Sequence, residues 1–280
     1  MTEQTSQPQQ GDMKIQMEVE QQQVRLRMSR IKHKILILSG KGGVGKSTVS
    51  VNLAISLALA GKKVGLLDID IHGPSIPKVL NLENARITLD NENIIPVEMM
   101  NNLKIMSIGF LLRGSSDAVI WRGPMKYKII KQFLKEVDWG SLDFLVIDSP
   151  PGTGDEPLSI VQLLENCTGA IIVTTPQEVA LSNVRKGITF CRNLNVDVLG
   201  VIENMSRFIC LQCGHKTDIF KTGGGEKMAE EMKVPFLGKI PIDPAIVEAC
   251  DSGKPYIKEY EESQAALAFK QSIMQFMDSK

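Results

Sequence analysis

The chain has 280 residues, 43% of them hydrophobic, with 32 basic and 32 acidic side chains; it can bury one large core, and two small domains are disfavoured. The balanced charge supplies no global field for nucleic acid or an anionic membrane, and no apolar run has the length of a transmembrane span or the make-up of a signal peptide. Five cysteines, an odd number with one tight C-x-x-C, argue against a disulfide framework and for a reduced, cytoplasmic setting with a metal or redox site.

Residues 1–30 are rich in Gln and poor in apolar side chains, and are expected as a disordered or weakly helical tail with at most a short helix from Met17 to Met28. The apolar run Ile35–Leu38 then predicts a buried strand leading directly into Gly40-Lys41-Gly42-Gly43-Val44-Gly45-Lys46-Ser47-Thr48. Gly40, Gly45, Lys46 and Ser47 fill the pattern G-x-x-x-x-G-K-S/T, and each residue type answers a demand of a bound triphosphate. Glycines let successive N–H groups curl inward onto phosphate oxygens. The helix beginning near Ser47 adds its unpaired N–H groups and the positive end of its dipole. Lys46 is expected on the β- and γ-phosphates and the Ser47 hydroxyl on Mg²⁺. Lys41 is not required by an ordinary phosphate loop; on the residues alone a solvated surface lysine is the other reading.

Val51, Ala54, Ile55 and Ala58 recur at helical spacing up to a stop at Gly61, and Val64–Leu67 is a buried strand. It delivers Asp68 and Asp70 to the carboxyl end of the sheet, where a carboxylate can hold a magnesium water or orient the attacking one. His72 reads as a packing or hydrogen-bonding residue. Leu103–Ile108 is another strand; Trp121 and Arg122 precede a helix ending near Val137, and either contact a partner or anchor that helix. Asp143–Asp148 is a buried strand ending in a carboxylate, Asp148, expected to hold Mg²⁺ through water. It runs into Ser149-Pro150-Pro151-Gly152-Thr153-Gly154-Asp155, the make-up of a loop that approaches a γ-phosphate.

Strand Gly169–Thr174, helix Ala180–Asn193 and strand Val198–Asn204 continue a repeated β-then-α order, which predicts an α/β fold: a three-layer, doubly wound, mainly parallel sheet with helices on both faces. Asn204 either reads the adenine edge or simply ends its strand. Cys210 and Cys213 follow, with Gly214 easing the turn. Two thiols so spaced are half a metal site, since zinc and cubane clusters usually take four protein ligands. The rest come from a second copy, from His215 with a distant residue, or from Cys167, Cys191 and Cys250, which otherwise read as small core residues. Strand Pro235–Ile240 precedes Pro241-Ile242-Asp243-Pro244, a tight loop able to close over the adenine, so Pro241 and Asp243 join the candidates. Ala266, Phe269, Ile273 and Phe276 mark one face of a final helix that docks on the core.

The Lys-Gly-Gly-Val-Gly-Lys-Ser stretch at 41–47 resembles the deviant Walker A of the ParA/MinD/nitrogenase-reductase superfamily, P-loop NTPases of the SIMIBI class. With Gly-Pro-Ser-Ile-Pro at 73–77, Trp-Arg-Gly-Pro-Met at 121–125, Asp-Ser-Pro-Pro-Gly-Thr-Gly-Asp at 148–155, Glu-Asn-Met-Ser at 203–206 and Cys-x-x-Cys-Gly at 210–214, the chain is similar to the Mrp/ApbC iron–sulfur cluster carrier ATPases from about Lys34 to Ile257. The resemblance implies a single ATPase domain over residues 31–280 with a cysteine loop at 206–215. It implies a homodimer binding Mg·ATP at each protomer and one 4Fe-4S cluster between Cys210 and Cys213 of both chains. Slow ATP hydrolysis would accompany cluster transfer from a scaffold to apo-proteins, with Asp70 on the attacking water, Asp68 in support and Lys41 reaching the partner's ATP. The N-terminal domain and N-terminal cysteine cluster of some relatives are not matched. An ATP-controlled, zinc-bridged adaptor, a ParA/MinD-like positioning ATPase and nitrogenase-reductase-type electron transfer are the competing readings.

Overall fold

The computed structural model describes residues 10–278 apart from 92, 112–122, 165 and 211; Trp121 and Arg122 lie outside the described residues. In chain order the elements are α1 (Gln10–Met28), β1 (Ile31–Ser39), α2 (Lys46–Leu59), β2 (Val64–Asp68), α3 (Ile76–Val79), β3 (Thr88–Asp90), β4 (Asn93–Ile95), β5 (Val97–Met100) and β6 (Leu103–Ser107). There follow α4 (Gly123–Glu136), β7 (Leu142–Asp148), α5 (Asp155–Leu164), β8 (Gly169–Thr174), α6 (Glu178–Asn193), β9 (Val198–Ile209), β10 (Lys216–Thr217), α7 (Gly224–Glu231), β11 (Phe236–Ile242), α8 (Pro244–Ser252), α9 (Tyr256–Glu259) and α10 (Gln264–Asp278).

Strands β9, β8, β1, β7, β2 and β6 lie side by side in that order, all parallel, with β11 parallel on β9. Among the described residues antiparallel pairing is confined to β5 on β6, the short β10 on the end of β9, and the separate β3–β4 hairpin. The expected mainly parallel sheet is thus present as a nine-stranded mixed one. Helices α2, α3, α8, α9 and α10 pack among themselves, as do α1, α4 and α5, and α6 with α7. Strands covered on both faces must be apolar almost throughout, which is why β2, β8, residues 35–38 of β1 and residues 144–147 of β7 read as nearly continuous buried apolar runs. Helix α2 is buried along nearly its whole length, between the sheet and α10. No helix among the described residues is long and apolar enough to cross a membrane.

Two segments differ from the sequence expectation. Residues 10–28, expected as a disordered or weakly helical tail with at most a short helix over Met17–Met28, form a longer helix that packs on α4 and α5, with Val24 and Met28 in the core. Arg27 ties it down through Asn93 at 2.6 Å and Asp138 at 3.3 Å. Two buried apolar residues in a polar helix leave almost no periodic signal, so pattern reading passes over them. The strand expected to end at Asn204 continues to Ile209, because β11 and β10 offer backbone partners beyond that point. Met205 takes a left-handed φ of 54° there, and the pairing with β11 slips between Ile240 and Ile242, a bulge that turns the strand after Asn204.

Candidate functional site

Strand register decides which carboxylates meet. Asp148 at the end of β7 lies level with Ile37 of β1 and with Asp68 of β2, so β1 hands the glycine loop directly over both acids. Gly43 (φ 78°) and Gly45 (φ 81°) supply the left-handed turns that roll the loop into the start of α2. Gly45 is also the helix N-cap and offers no side chain to cap it, leaving the first N–H groups of α2 to an anion. A Cβ on Gly45 would overlap the Asn204 amide, whose Nδ2 donates to the Val44 carbonyl at 2.9 Å. Gly40 serves packing instead: a Cβ there would stand 2.6 Å from Asn183 of α6.

The Lys46 ammonium is buried 2.8 Å from Asp148 Oδ2 and 3.8 Å from Asp70 Oδ2. Asp148 also accepts from Ser47 Oγ at 2.7 Å and Ser50 Oγ at 2.5 Å. Serine, lysine and buried carboxylate gathered at an uncapped helix start are the donor set that a Mg²⁺–phosphate pair requires. Ser50 was not among the sequence candidates; its sign is a polar residue about one turn beyond Ser47. Ser107 was missed likewise and donates to Asp68 Oδ2 at 2.8 Å. Lys41 is exposed at the loop tip, as are Gly42 and Gly43, while Thr48 lies on the first turn of α2.

Asp68 has no contact with Lys46 comparable to that of Asp148, and burial, together with the neighbouring Asp148, pushes its carboxyl up to about 8. Burial also raises Asp70, against the pull of Lys46. At neutral pH Asp68 therefore keeps its proton in the folded chain, whereas the unfolded chain releases it above 3.8. Its contribution to stability is full below the unfolded value and is lost as pH rises towards 8. Asp68→Asn is expected to remove that slope. Urea midpoints of wild type should fall relative to the variant across this window, and parallel curves would refute a raised Asp68.

The structure places the adenine candidates together but occupies their polar groups. Ile240 of β11 is level with Asn204, which brings Pro241 beside it. Pro241 is within β11 and not in the expected loop. Asp243 caps α8, accepting from the Ala245 N–H at 2.9 Å and from Tyr256 OH at 2.6 Å. Burial, and then this carboxylate, raise the Tyr256 phenol.

Cys210 and Cys213 lie at the tip of the β9–β10 hairpin. Gly214 turns the chain at φ 68°, the Gly214 N–H donates to the Cys210 carbonyl at 2.8 Å, and the Cys210 N–H donates to His215 O at 2.9 Å. Arg207 and Asp218 pair across the hairpin at 2.6 Å. Backbone N–H groups of Cys213 and Gln212, then the Cys213 thiol, point at the Cys210 sulfur and hold its pKa below the usual thiol range. That favours the thiolate, the form that ligates metal. Among the described residues no set of three His, Cys, Asp or Glu converges as a metal site. Cys191 is buried and pushed up to about 12 by burial, and burial raises Cys167 and Cys250 too; none points into the hairpin tip. Glu203, also missed from sequence, is fully buried beside Asn204 and accepts from Gly223 N at 2.8 Å and Gly225 N at 2.5 Å, fastening the start of α7 to the root of the hairpin.

The sequence model of the NUBPL iron-transfer P-loop NTPases, of the ParA group, matches residues 30–277. A cytosolic Fe-S cluster assembly factor, the NUBP2 homolog of Trichoplax adhaerens, is 50% identical over 241 residues, which are 85% of this chain and 91% of that protein. An Archaeoglobus fulgidus nucleotide-binding protein solved with ADP superimposes with a TM-score of 0.77 at 39% identity, covering 89% of this chain and 96% of that one. The septum site-determining protein MinD of Pyrococcus horikoshii, solved with Mg-ADP, gives 0.64 at 28% identity over 86% and 94%. Match length and the geometry of the glycine loop agree, and the chain belongs to the NUBPL iron-transfer P-loop NTPases of the ParA family.

Proposed function

We propose that the chain is a cytoplasmic, ATP-hydrolysing carrier of iron–sulfur clusters that works as a homodimer, taking a 4Fe-4S cluster from a scaffold and passing it to apo-proteins. One observation carries the reading: a single strand, β9, holds the phosphate loop through Asn204 and ends at Ile209, directly before the Cys210 thiol. Two thiols per chain are half a cluster's ligand set, and a two-fold dimer completes it with four. The cytosolic Fe-S assembly relative supports the cargo, and the Mg-ADP and ADP complexes of the structural neighbours support the nucleotide.

Gly40 to Thr48 cradle the triphosphate, Lys46 neutralises its β- and γ-oxygens, and Ser47 and Asp148 hold the magnesium. Mg²⁺ supplies charge compensation for the transferring phosphoryl group. Asp70, at the mouth of the site, orients the water; Lys41, exposed at the loop tip, is free to reach the partner's nucleotide. Asn204, Pro241 and Asp243 border the adenine end. Neither nucleic acid nor membrane is a partner in this reading, because no charge excess recommends either.

Anaerobic reconstitution with iron and sulfide tests the cargo, on wild type and on the Cys210→Ala/Cys213→Ala double variant, with zinc measured in the same samples. About four irons per dimer, lost in the variant, is the expected result. Tightly held zinc without cysteine-dependent iron overturns the carrier and leaves an ATP-controlled, zinc-bridged adaptor.

A further inference from the structure

The first turn of α4 carries a side chain shared by two loops of the nucleotide site. Lys126 Nζ donates to Glu156 Oε1 at 2.6 Å and to His72 Nε2 at 2.9 Å; His72 and Glu156 themselves lie 3.5 Å apart. An ammonium has only donors, so Nε2 accepts and the ring proton sits on Nδ1. The Lys126 and Glu156 side chains are 16% and 9% exposed, a setting in which a charge-assisted bond holds its geometry better than a solvated surface pair. Desolvation opposes ionisation of Glu156, yet the bond from Lys126 and the residue's own N–H outweigh it and lower its pKa.

Both partners of Lys126 belong to segments that the chemistry needs. His72 lies two residues beyond Asp70, whose Oδ1 accepts the Gly73 N–H at 3.3 Å. Glu156 is the second residue of α5, which follows the 149–154 loop, whose Gly152 N–H donates to the carbonyl of Ser39 at 2.7 Å, at the foot of the phosphate loop. Helix α4 packs chiefly on α1, α5 and β4. It is anchored in the core by Ile130, Phe133 and Leu134, so Lys126 projects from a fixed post between two loops.

We infer that Lys126 is a positioning residue that ties the Asp70 loop to the 149–154 loop through His72 and Glu156, so that the two loops adopt one arrangement together. A displacement of either loop is then carried to the other through a discrete, charged contact. The kinetic consequence rests on the ATPase reading; the tie itself does not.

Hydrogen exchange on the nucleotide-free protein tests the tie directly. Lys126→Met is expected to speed exchange in peptides covering 69–75 and 149–157 together, leaving β1 and β7 as in wild type. The isosteric Glu156→Gln should do the same, and it carries the test if Lys126→Met does not fold. Exchange that changes in the α5 segment alone, or in neither, overturns the inference. In turnover, Lys126→Met should lower kcat about ten-fold with KM for ATP within about two-fold, as expected for misplacement without lost binding. Lys126→Arg should recover most of the rate, and the Lys126→Met/Glu156→Gln double variant should be no slower than the slower single. Absence of ATP turnover in wild type would defeat the ATPase reading and leave the exchange result to decide the tie.

Discussion

Lys46→Ala should abolish ATP turnover, lowering kcat/KM by a factor of about 10³ or more, the scale on which single charge-stabilising groups act in phosphoryl transfer. In the structure the Lys46 ammonium is the cation set among Asp70 and Asp148, with Asp68 immediately behind. Removing it takes away the group proposed to neutralise the γ-phosphate and leaves the acids facing an anionic nucleotide. Lys46→Arg should recover little, because a planar guanidinium does not fit the compact space of an ammonium buried to 7% exposure. Fluorescent-nucleotide titration and phosphate release measure the two parts separately. Turnover within ten-fold of wild type in Lys46→Ala would show that the loop is not the hydrolytic site.

Asp148→Asn should be the most destabilising single change at the site, by about 3 kcal/mol, because it leaves Lys46 buried without its contact carboxylate. The lower end of the usual range for breaking a buried pair applies for a physical reason. Part of the push on the Asp68 pKa comes from the Asp148 charge, so losing that charge eases ionisation of Asp68 and partly restores a negative partner. Ser47 and Ser50 donate to different oxygens of Asp148, so in the variant one keeps an amide oxygen to donate to and the other can rotate to accept from the amide N–H. The functional sign is separate: wild type should gain about 2.7 kcal/mol from Mg·ATP at a hundred times its Kd, while the variant gains nothing that depends on Mg²⁺. Urea unfolding with ATP, with and without Mg²⁺, reads both effects. A Mg²⁺-dependent rise in the variant's midpoint would remove Asp148 from the metal site.

The phosphate loop was legible because its glycines and its lysine are demanded locally, by backbone curvature and ligand charge, and these demands fall on adjacent residues. Asp148 was legible for a related reason: a buried apolar strand that ends in one carboxylate has few other uses. Asn204 was legible as a residue but not in its contact, which is with the Val44 carbonyl of the loop. Asp243 reads in sequence as a loop carboxylate near a ligand, whereas the structure employs both its oxygens in capping α8 and holding Tyr256. Short-range helix capping was the competing demand, and Asp followed by Pro at the start of α8 was its sign.

By itself the sequence determined the β-then-α order, the parallel sheet, the loop that takes a phosphate and the cysteine pair, because each rests on residue types at fixed short spacings. Tertiary structure alone decided which side chains meet across that order. Parallel register buried Asp68 beside Asp148, and that burial, then the neighbouring charge, raised the Asp68 pKa; the bulge at Met205 carried β9 on to the cysteine hairpin; and core packing of α4 placed Lys126 between His72 and Glu156. Those pairs are separated by tens of residues in the chain, and no local preference encodes a contact that exists only once the sheet has closed its register.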